Sequence, residues 1–328
     1  MIGEYPTPVE LHRLPGGEDL WIKRDDRTSS LYGGNKVRKL ERLLVAAREE
    51  GATELLTVGA IGSHHVLATT LFGRRAGFRV TAVLLPQPRT EHVVANVRAG
   101  IGAGLHAVAA GSYAEAALRM TMLRRRGGRR VFMIPPGGSN VVGTLGFVDA
   151  GEELARQIGS GELPEPAHVV VPLGSGGTAA GLAVAFARAG LGARVVGVAV
   201  AKPPWLLGLG ARRLAYQVGA QLGGRALASA AQRHLSMEGS AVGAGYGAAT
   251  AAGDRACIVA RSIPITLDDT YTAKAFACAM AMASADANPQ NRASGPVLFW
   301  HTLSAAQPSL EDAPEERHLA LPLQRLLR

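Results

Sequence analysis

The feature that most narrows the fold of this chain is a repeated alternation of short apolar runs with helix-like stretches, each run stopped by glycine or proline. Residues 54–58 precede a glycine turn and a helix-like segment at 64–76, and residues 79–85 are stopped by Pro86 and Pro88. Residues 106–108 and 130–134 repeat the theme, the second ending at Pro135-Pro136-Gly137-Gly138. A helix-like segment at 143–158 leads past Pro164-Glu165-Pro166 to a second series, with runs at 167–173 and 193–200. Strands that alternate with helices predict parallel βαβ units, since parallel neighbours need a crossover between them. The expectation is an α/β protein: two doubly wound units with mostly parallel sheets and one cleft between them. In such sheets ligands gather beyond the carboxyl ends of the strands, so chemistry is sought in the loops after Val58, Ile134, Leu173 and Val200.

Composition removes several classes of function. At 328 residues, 47% hydrophobic but only 5% aromatic, the chain can bury a sizeable core without staples. Cys257 and Cys278 have no metal-ligand spacing, so neither a zinc site nor a disulfide framework is expected. The net charge of +9 raises the question of nucleic acid. Its densest run, Arg124-Arg125-Arg126-Gly127-Gly128-Arg129-Arg130, has no interleaved aromatics and reads as a solvated turn. Apolar stretches are broken well short of the ~20 residues of a membrane span. No signal-peptide pattern opens the chain, so a cytoplasmic protein with no nucleic-acid or membrane partner is expected.

Two features carry chemistry. Gly174-Ser175-Gly176-Gly177-Thr178 lies between a strand-like run and a helix-like one, where glycines turn backbone N–H groups inward and a helix start adds partial positive charge. That is a phosphate cradle, or else simple close packing. No G-K-[ST] follows, so it is not a P-loop. A dinucleotide site also wants an acidic residue about twenty positions on, and no Asp or Glu occurs from Leu182 to Trp205. Lys202 could meet a 2′-phosphate, which leaves NADP a better rival than NAD. The second feature is Lys36 in Gly33-Gly34-Asn35-Lys36. Only five of the 35 basic residues are lysines, and an amine can form a Schiff base where a guanidinium cannot. An amine at a helix start plus a phosphate cradle is what holding pyridoxal phosphate requires.

At this point the chain resembles the fold type II, tryptophan synthase β-like pyridoxal-phosphate enzymes, within them the branch of D-cysteine desulfhydrase and 1-aminocyclopropane-1-carboxylate deaminase. The match runs from Leu20 to about Thr302. It rests on Trp21-Ile22-Lys23-Arg24-Asp25-Asp26 with Gly33 to Glu41, on Pro136-Gly137-Gly138-Ser139-Asn140, on the Gly174 loop, on Gly245-Tyr246-Gly247, on Asp268 to Ala275, and on Val297 to Thr302. The resemblance implies that Lys36 carries the cofactor, with Asn35, His64, Gly174, Ser175, Gly176, Gly177, Thr178 and Thr302 around it. It implies catalytic roles for Lys36, Ser63, Tyr246 and Tyr271, substrate contacts from Ser63, His64 and His65, and a homodimer. The expected division is a smaller α/β domain at 45–155 and a larger cofactor-binding one from 1–44 plus 156–328. Two departures stand out. Gly62-Ser63-His64-His65 replaces the branch's Gln-Ser-Asn-His, and Leu303-Ser304 replaces paired glycines after Thr302.

The expected activity is a pyridoxal-phosphate lyase or deaminase that turns a small α-amino acid into a 2-keto acid and ammonia, by β-elimination or ring opening. An NADP oxidoreductase and a binding protein without turnover are the alternatives. Simpler readings accompany each residue. Adjacent histidines point about 100° apart on a helix and do not share a metal, Ser63 suits an N-cap, and Asp268-Asp269 suits a helix cap.

Overall fold

The computed structural model describes residues 1–284 and 295–327. Two sheets organise it. Four parallel strands, β3 (Glu54–Ala60), β4 (Arg79–Leu85), β5 (Leu105–Ala109) and β6 (Val131–Met133), stand in the order β5-β4-β3-β6. Six strands form the larger sheet: β1 (Val9–Arg13), β2 (Asp19–Lys23), β7 (His168–Leu173), β8 (Arg194–Ala199), β9 (Leu235–Glu238) and β10 (Val297–Trp300), in the order β1-β2-β10-β7-β8-β9. Only the β1–β2 edge hairpin is antiparallel. The α/β class with mostly parallel sheets read from the alternation is the class observed.

Each sheet is covered on both faces, which is why its strands read as continuous apolar runs rather than alternating ones. Helices α1 (Asn35–Glu49), α2 (His64–Arg75) and α3 (Glu91–Gly102) share one core with the smaller sheet, and α4 (Tyr113–Gly127) packs behind it. Leu319, Leu323 and Leu326 from the end of the chain join the first of these cores. On the larger sheet α5 (Val141–Gly159), α6 (Gly177–Ala189) and α7 (Pro204–His234) cover one face. Helix α9 (Thr272–Ala283), with α8 (Ala251–Ala260) beside it, covers the other. Ten consecutive residues of α6, Gly177 to Phe186, are buried. A helix apolar all round can only sit inside a core, and this one meets α5 so closely that a Cβ on Gly181 would lie 2.5 Å from the Phe147 side chain.

The strand expectations match closely; the register of the edge strands and the long α7, broken at Gly223 and Gly224, carried no clear periodic signal. The carboxyl ends of β3, β6, β7, β8 and β10 converge on one cavity of about 520 Å³, within the ~300–1,000 Å³ usual for small-molecule sites. No helix among the described residues is long and apolar enough to cross a membrane.

Candidate active site

Lys36 owes its position to the turn before it. Gly34 has φ of +91° and ψ of 179°, an essentially glycine-only conformation that costs a side-chain-bearing residue about 1–3 kcal/mol, and a Cβ there would strike the Thr302 carbonyl oxygen at 2.5 Å. That contact lets the Asn35 N–H donate to Thr302 O at 3.2 Å, docking the first turn of α1 onto the end of β10. The Lys36 amine donates to Asn35 Oδ1 at 2.8 Å, and Asn35 Nδ2 donates to Thr178 Oγ1 at 3.1 Å. One amide thus links the lysine to the glycine loop. Burial lowers the Lys36 pKa to about 8, against the opposing pull of Asp268. A free amine is therefore available near neutrality, as a nucleophilic lysine requires.

Beneath the lysine, α1 is anchored by buried ions. Arg38 donates to Asp25 at 2.7 and 2.8 Å and to Glu153 on α5 at 3.0 Å, and Thr7 donates to both carboxylates. Lys23 also pairs with Glu153. Burial alone would raise the Glu153 pKa; hydrogen bonds and charge from Arg38, then Lys23, hold it at about 2 instead. Two members of this network, Lys23 and Asp25, come from the Lys23-Arg24-Asp25-Asp26 segment, so that match records a tether under the lysine rather than chemistry at it.

The glycine loop is built as a cradle. Gly176 caps α6 with φ of +88° and, as glycine, offers the first N–H groups no side chain of its own. A Cβ on Gly177 would lie 2.6 Å from Ser139 Oγ and 2.9 Å from Lys39 Nζ. Ser139 Oγ accepts from the Gly177 N–H at 3.2 Å, receives Lys39 Nζ at 3.0 Å and stands 2.7 Å from Ser175 Oγ. Lys39 is buried, and its pKa is driven well below the usual range by desolvation and then by the Lys36 charge. An anion in the cradle would reverse that. Sequence reasoning missed Lys39 and Ser139. The signal for Lys39 was its place three residues after Lys36, on the same helix face.

The opposite wall is the turn that starts α2. Ser63 caps the helix, accepting from the Val66 N–H at 3.4 Å, and lines the cavity. His64 Nδ1 lies 2.5 Å from Tyr32 Oη, and its ring packs 4.4 Å from the ring of His92. Burial, then the neighbouring His92, pull the His64 pKa down to about 3, so the imidazole is neutral; its Nε2 has no hydrogen-bond partner among the described residues. His65 faces inward, its Nε2 2.9 Å from Thr57 Oγ1, and is likewise held at about 3 by burial. The two rings diverge as their helix spacing requires.

From the larger unit, Tyr246 and Tyr271 bring their hydroxyls within 2.8 Å of each other. Burial raises both phenols, Tyr246 to about 12, so both are protonated donors. Asp268 caps α9, its carboxylate accepting from the Tyr271 and Thr272 N–H groups at 2.9 and 3.0 Å. Lys36, Asn35, Ser63, His64, His65, Tyr246, Tyr271, Thr302 and the loop residues Gly174, Ser175, Gly176 and Thr178 line the single cavity, with Gly177 set just behind its wall.

A cradle that a Cβ would fill, and an amine lowered toward neutrality across the same cavity, fit pyridoxal phosphate at both its ends. Comparison with known proteins agrees. The model of the pyridoxal-phosphate dependent enzymes matches residues 1–302. The chain is 39% identical over 311 residues to nocardicin C-9′ epimerase of Nocardia uniformis subsp. tsuyamanensis, covering 92% of this chain and 91% of that protein. It is 35% identical to D-cysteine desulfhydrase of Salmonella paratyphi C, covering 90% and 91%. Its fold superposes on a crystal structure described as an ACC deaminase homologue with a TM-score of 0.76 and 28% identity, over 100% of this chain and 95% of that one. The cofactor is pyridoxal phosphate, and the chain belongs to the family of pyridoxal-phosphate dependent enzymes.

Proposed function

We propose that this enzyme is a lyase or deaminase that removes the Cα proton of an amino acid and releases a 2-keto acid and ammonia. The observation that carries the reading is the amine of Lys36, lowered to about 8 and hydrogen-bonded to the amide that also reaches Thr178. When bound, the cofactor supplies an electron sink for charge left at Cα. The residues do the rest. Lys39, Ser139 and the N–H groups of Gly174 to Thr178 would hold the phosphate, with Thr302 lining the same cavity. The Lys36 amine, lowered to about 8, would be the base that takes the Cα proton. Ser63, at a helix start, suits the substrate carboxylate. The paired hydroxyls of Tyr246 and Tyr271 hand a proton to the departing β-substituent. Holoenzyme should be yellow, whereas the Lys36→Ala variant should lose turnover by at least about a thousandfold, the scale of a catalytic group. A variant that keeps both its turnover and the colour of the lysine-bound cofactor would overturn the reading.

A second reading, epimerisation at Cα, is favoured by the 39% identity to an epimerase and by a histidine–tyrosine pair lining the cavity with Lys36. The two part cleanly in heavy water. Epimerisation gives deuterated amino acid of changed configuration, and elimination gives keto acid and ammonia. The resemblance further supports a homodimer, which sedimentation of the purified enzyme checks.

A further inference from the structure

Of the five lysines in the chain, Lys274 is buried, 1% exposed, yet lies outside the wall of the cofactor cavity. A buried cation is costly unless its donors are met. Here backbone meets them: Lys274 Nζ donates to Val242 O at 3.0 Å and to Gly245 O at 3.2 Å. Both acceptors belong to the connection between β9 and α8, which carries Tyr246.

That connection has little stiffness of its own. Gly243, Gly245 and Gly247 stand at φ of +62°, +144° and +79°, and glycine restricts its dihedrals least of any residue. A Cβ on Gly245 would meet no atom within 4 Å, so packing does not wedge the turn there. Gly245 O accepts a second bond, from the Ala248 N–H at 3.3 Å, and this closes the turn that displays Tyr246. One carbonyl therefore joins the turn to the lysine. Helix α9 meets the same turn a second time, since Tyr271 at its start brings its hydroxyl within 2.8 Å of Tyr246 Oη, with the rings 5.8 Å apart and at 82°. Lys274 is three residues on, the spacing that sets side chains on one helix face. The glycine-rich turn is thus pinned at two points to a helix start that Asp268 already fixes.

We propose that Lys274 is a positioning residue for the tyrosine pair: by holding the Gly245 carbonyl it keeps Tyr246 Oη against Tyr271 Oη, and so governs the proton given to the departing β-substituent rather than removal of the Cα proton. The inference rests on the lyase reading above, and the test separates the two. A β-hydroxyl leaves as water, its C–O bond breaking as a phenolic proton reaches the oxygen, whereas chloride leaves as the anion. Serine therefore needs the pair and β-chloroalanine does not. In Lys274→Met the ratio of kcat for serine to kcat for β-chloroalanine, each assayed in both enantiomers, is expected to fall at least about tenfold, part of the ~10²–10⁴ that a general acid contributes. Tyr246→Phe should lower the same ratio at least as far. A lysine that only stabilised the fold would slow both substrates alike. Independently of turnover, amide hydrogen exchange of 243–249 should quicken at least about tenfold in Lys274→Met while α9 keeps its protection. Should that variant not fold, Gly245→Ala, which strains the turn at φ of +144° and keeps the lysine, is expected to lower the ratio likewise. An unchanged ratio, or unchanged exchange of 243–249, would overturn the role of Lys274 and leave the lyase reading intact. Native enzyme that releases keto acid from neither substrate would overturn the lyase reading, and the role of Lys274 with it.

Discussion

Two helix starts face each other across the cofactor cavity, and they are built in opposite ways. At α6 the entry is glycine: Gly176 stands at φ of +88° with no side chain of its own to cap the helix, and the Gly177 N–H is met from another loop by Ser139 Oγ at 3.2 Å. At α2 the entry is closed on itself, with Ser63 capping the helix and the His64 ring wedged between Tyr32 and His92. One end binds through backbone and so is indifferent to what else the enzyme does. The other acts only through side chains, which is where a chain can change substrate while keeping its cofactor. On the proposed function, cofactor affinity belongs to the α6 end and substrate choice to the α2 end, a division that variants can test.

Four variants break or sharpen that division. The largest effect concerns the frame that carries both ends. Glu153→Gln leaves Arg38 and Lys23 with a buried positive charge half unpaired, and should cost about 3–5 kcal/mol in chemical denaturation. The sign in pH follows from a carboxyl held at about 2. Its stabilisation is complete above the unfolded pKa of about 4.5 and is lost as the pH falls toward 2. Denaturation midpoints of the native enzyme should therefore fall across that window, and those of Glu153→Gln should fall less.

Next comes Lys39→Met, which keeps the volume and removes the charge beside the cradle. A lost charge-assisted hydrogen bond of ~1.5–3 kcal/mol corresponds to about a 10- to 150-fold weaker cofactor, measured by equilibrium dialysis. An unchanged Kd would place the phosphate elsewhere. His64→Asn should do the reverse: cofactor Kd within about threefold, but kcat/KM ratios across a panel of amino acids shifted by about tenfold, some 1.4 kcal/mol. A variant that loses cofactor but keeps its substrate ranking would invert the comparison.

The smallest effect is a shift in pH. Lys36 must lose its proton to bond the cofactor aldehyde, so reconstitution of apoenzyme should accelerate as the pH rises through about 8. Asp268 holds that value up. Asp268→Asn should therefore move the midpoint of the rate profile downward, and an upward shift would contradict the arrangement seen here.

Much of this site was legible in the chain. Lys36 and the Gly174 to Thr178 loop are local signals, since a backbone that must adopt positive φ or approach an anion announces itself as glycine wherever it occurs. Asp268 read as a cap and is one. Lys39 and Ser139 were not legible as neighbours of the glycine loop, because one looks like any helix lysine and the other like any turn serine. Tyr32 and His92 give no signal at all, since only packing brings them to either side of His64. The ion network of Arg38, Asp25 and Glu153 joins residues more than a hundred positions apart, beyond the reach of any spacing argument.

By itself, then, the sequence determined the α/β class, the lysine and the cradle, because periodicity and glycine geometry are local properties of the backbone. Only the tertiary structure decided that Lys39 backs the cradle, that His64 is neutral and sandwiched, and that Lys274 reaches the turn that carries Tyr246. Those depend on which loops meet at the strand ends and how much water they exclude, quantities that no stretch of chain carries alone.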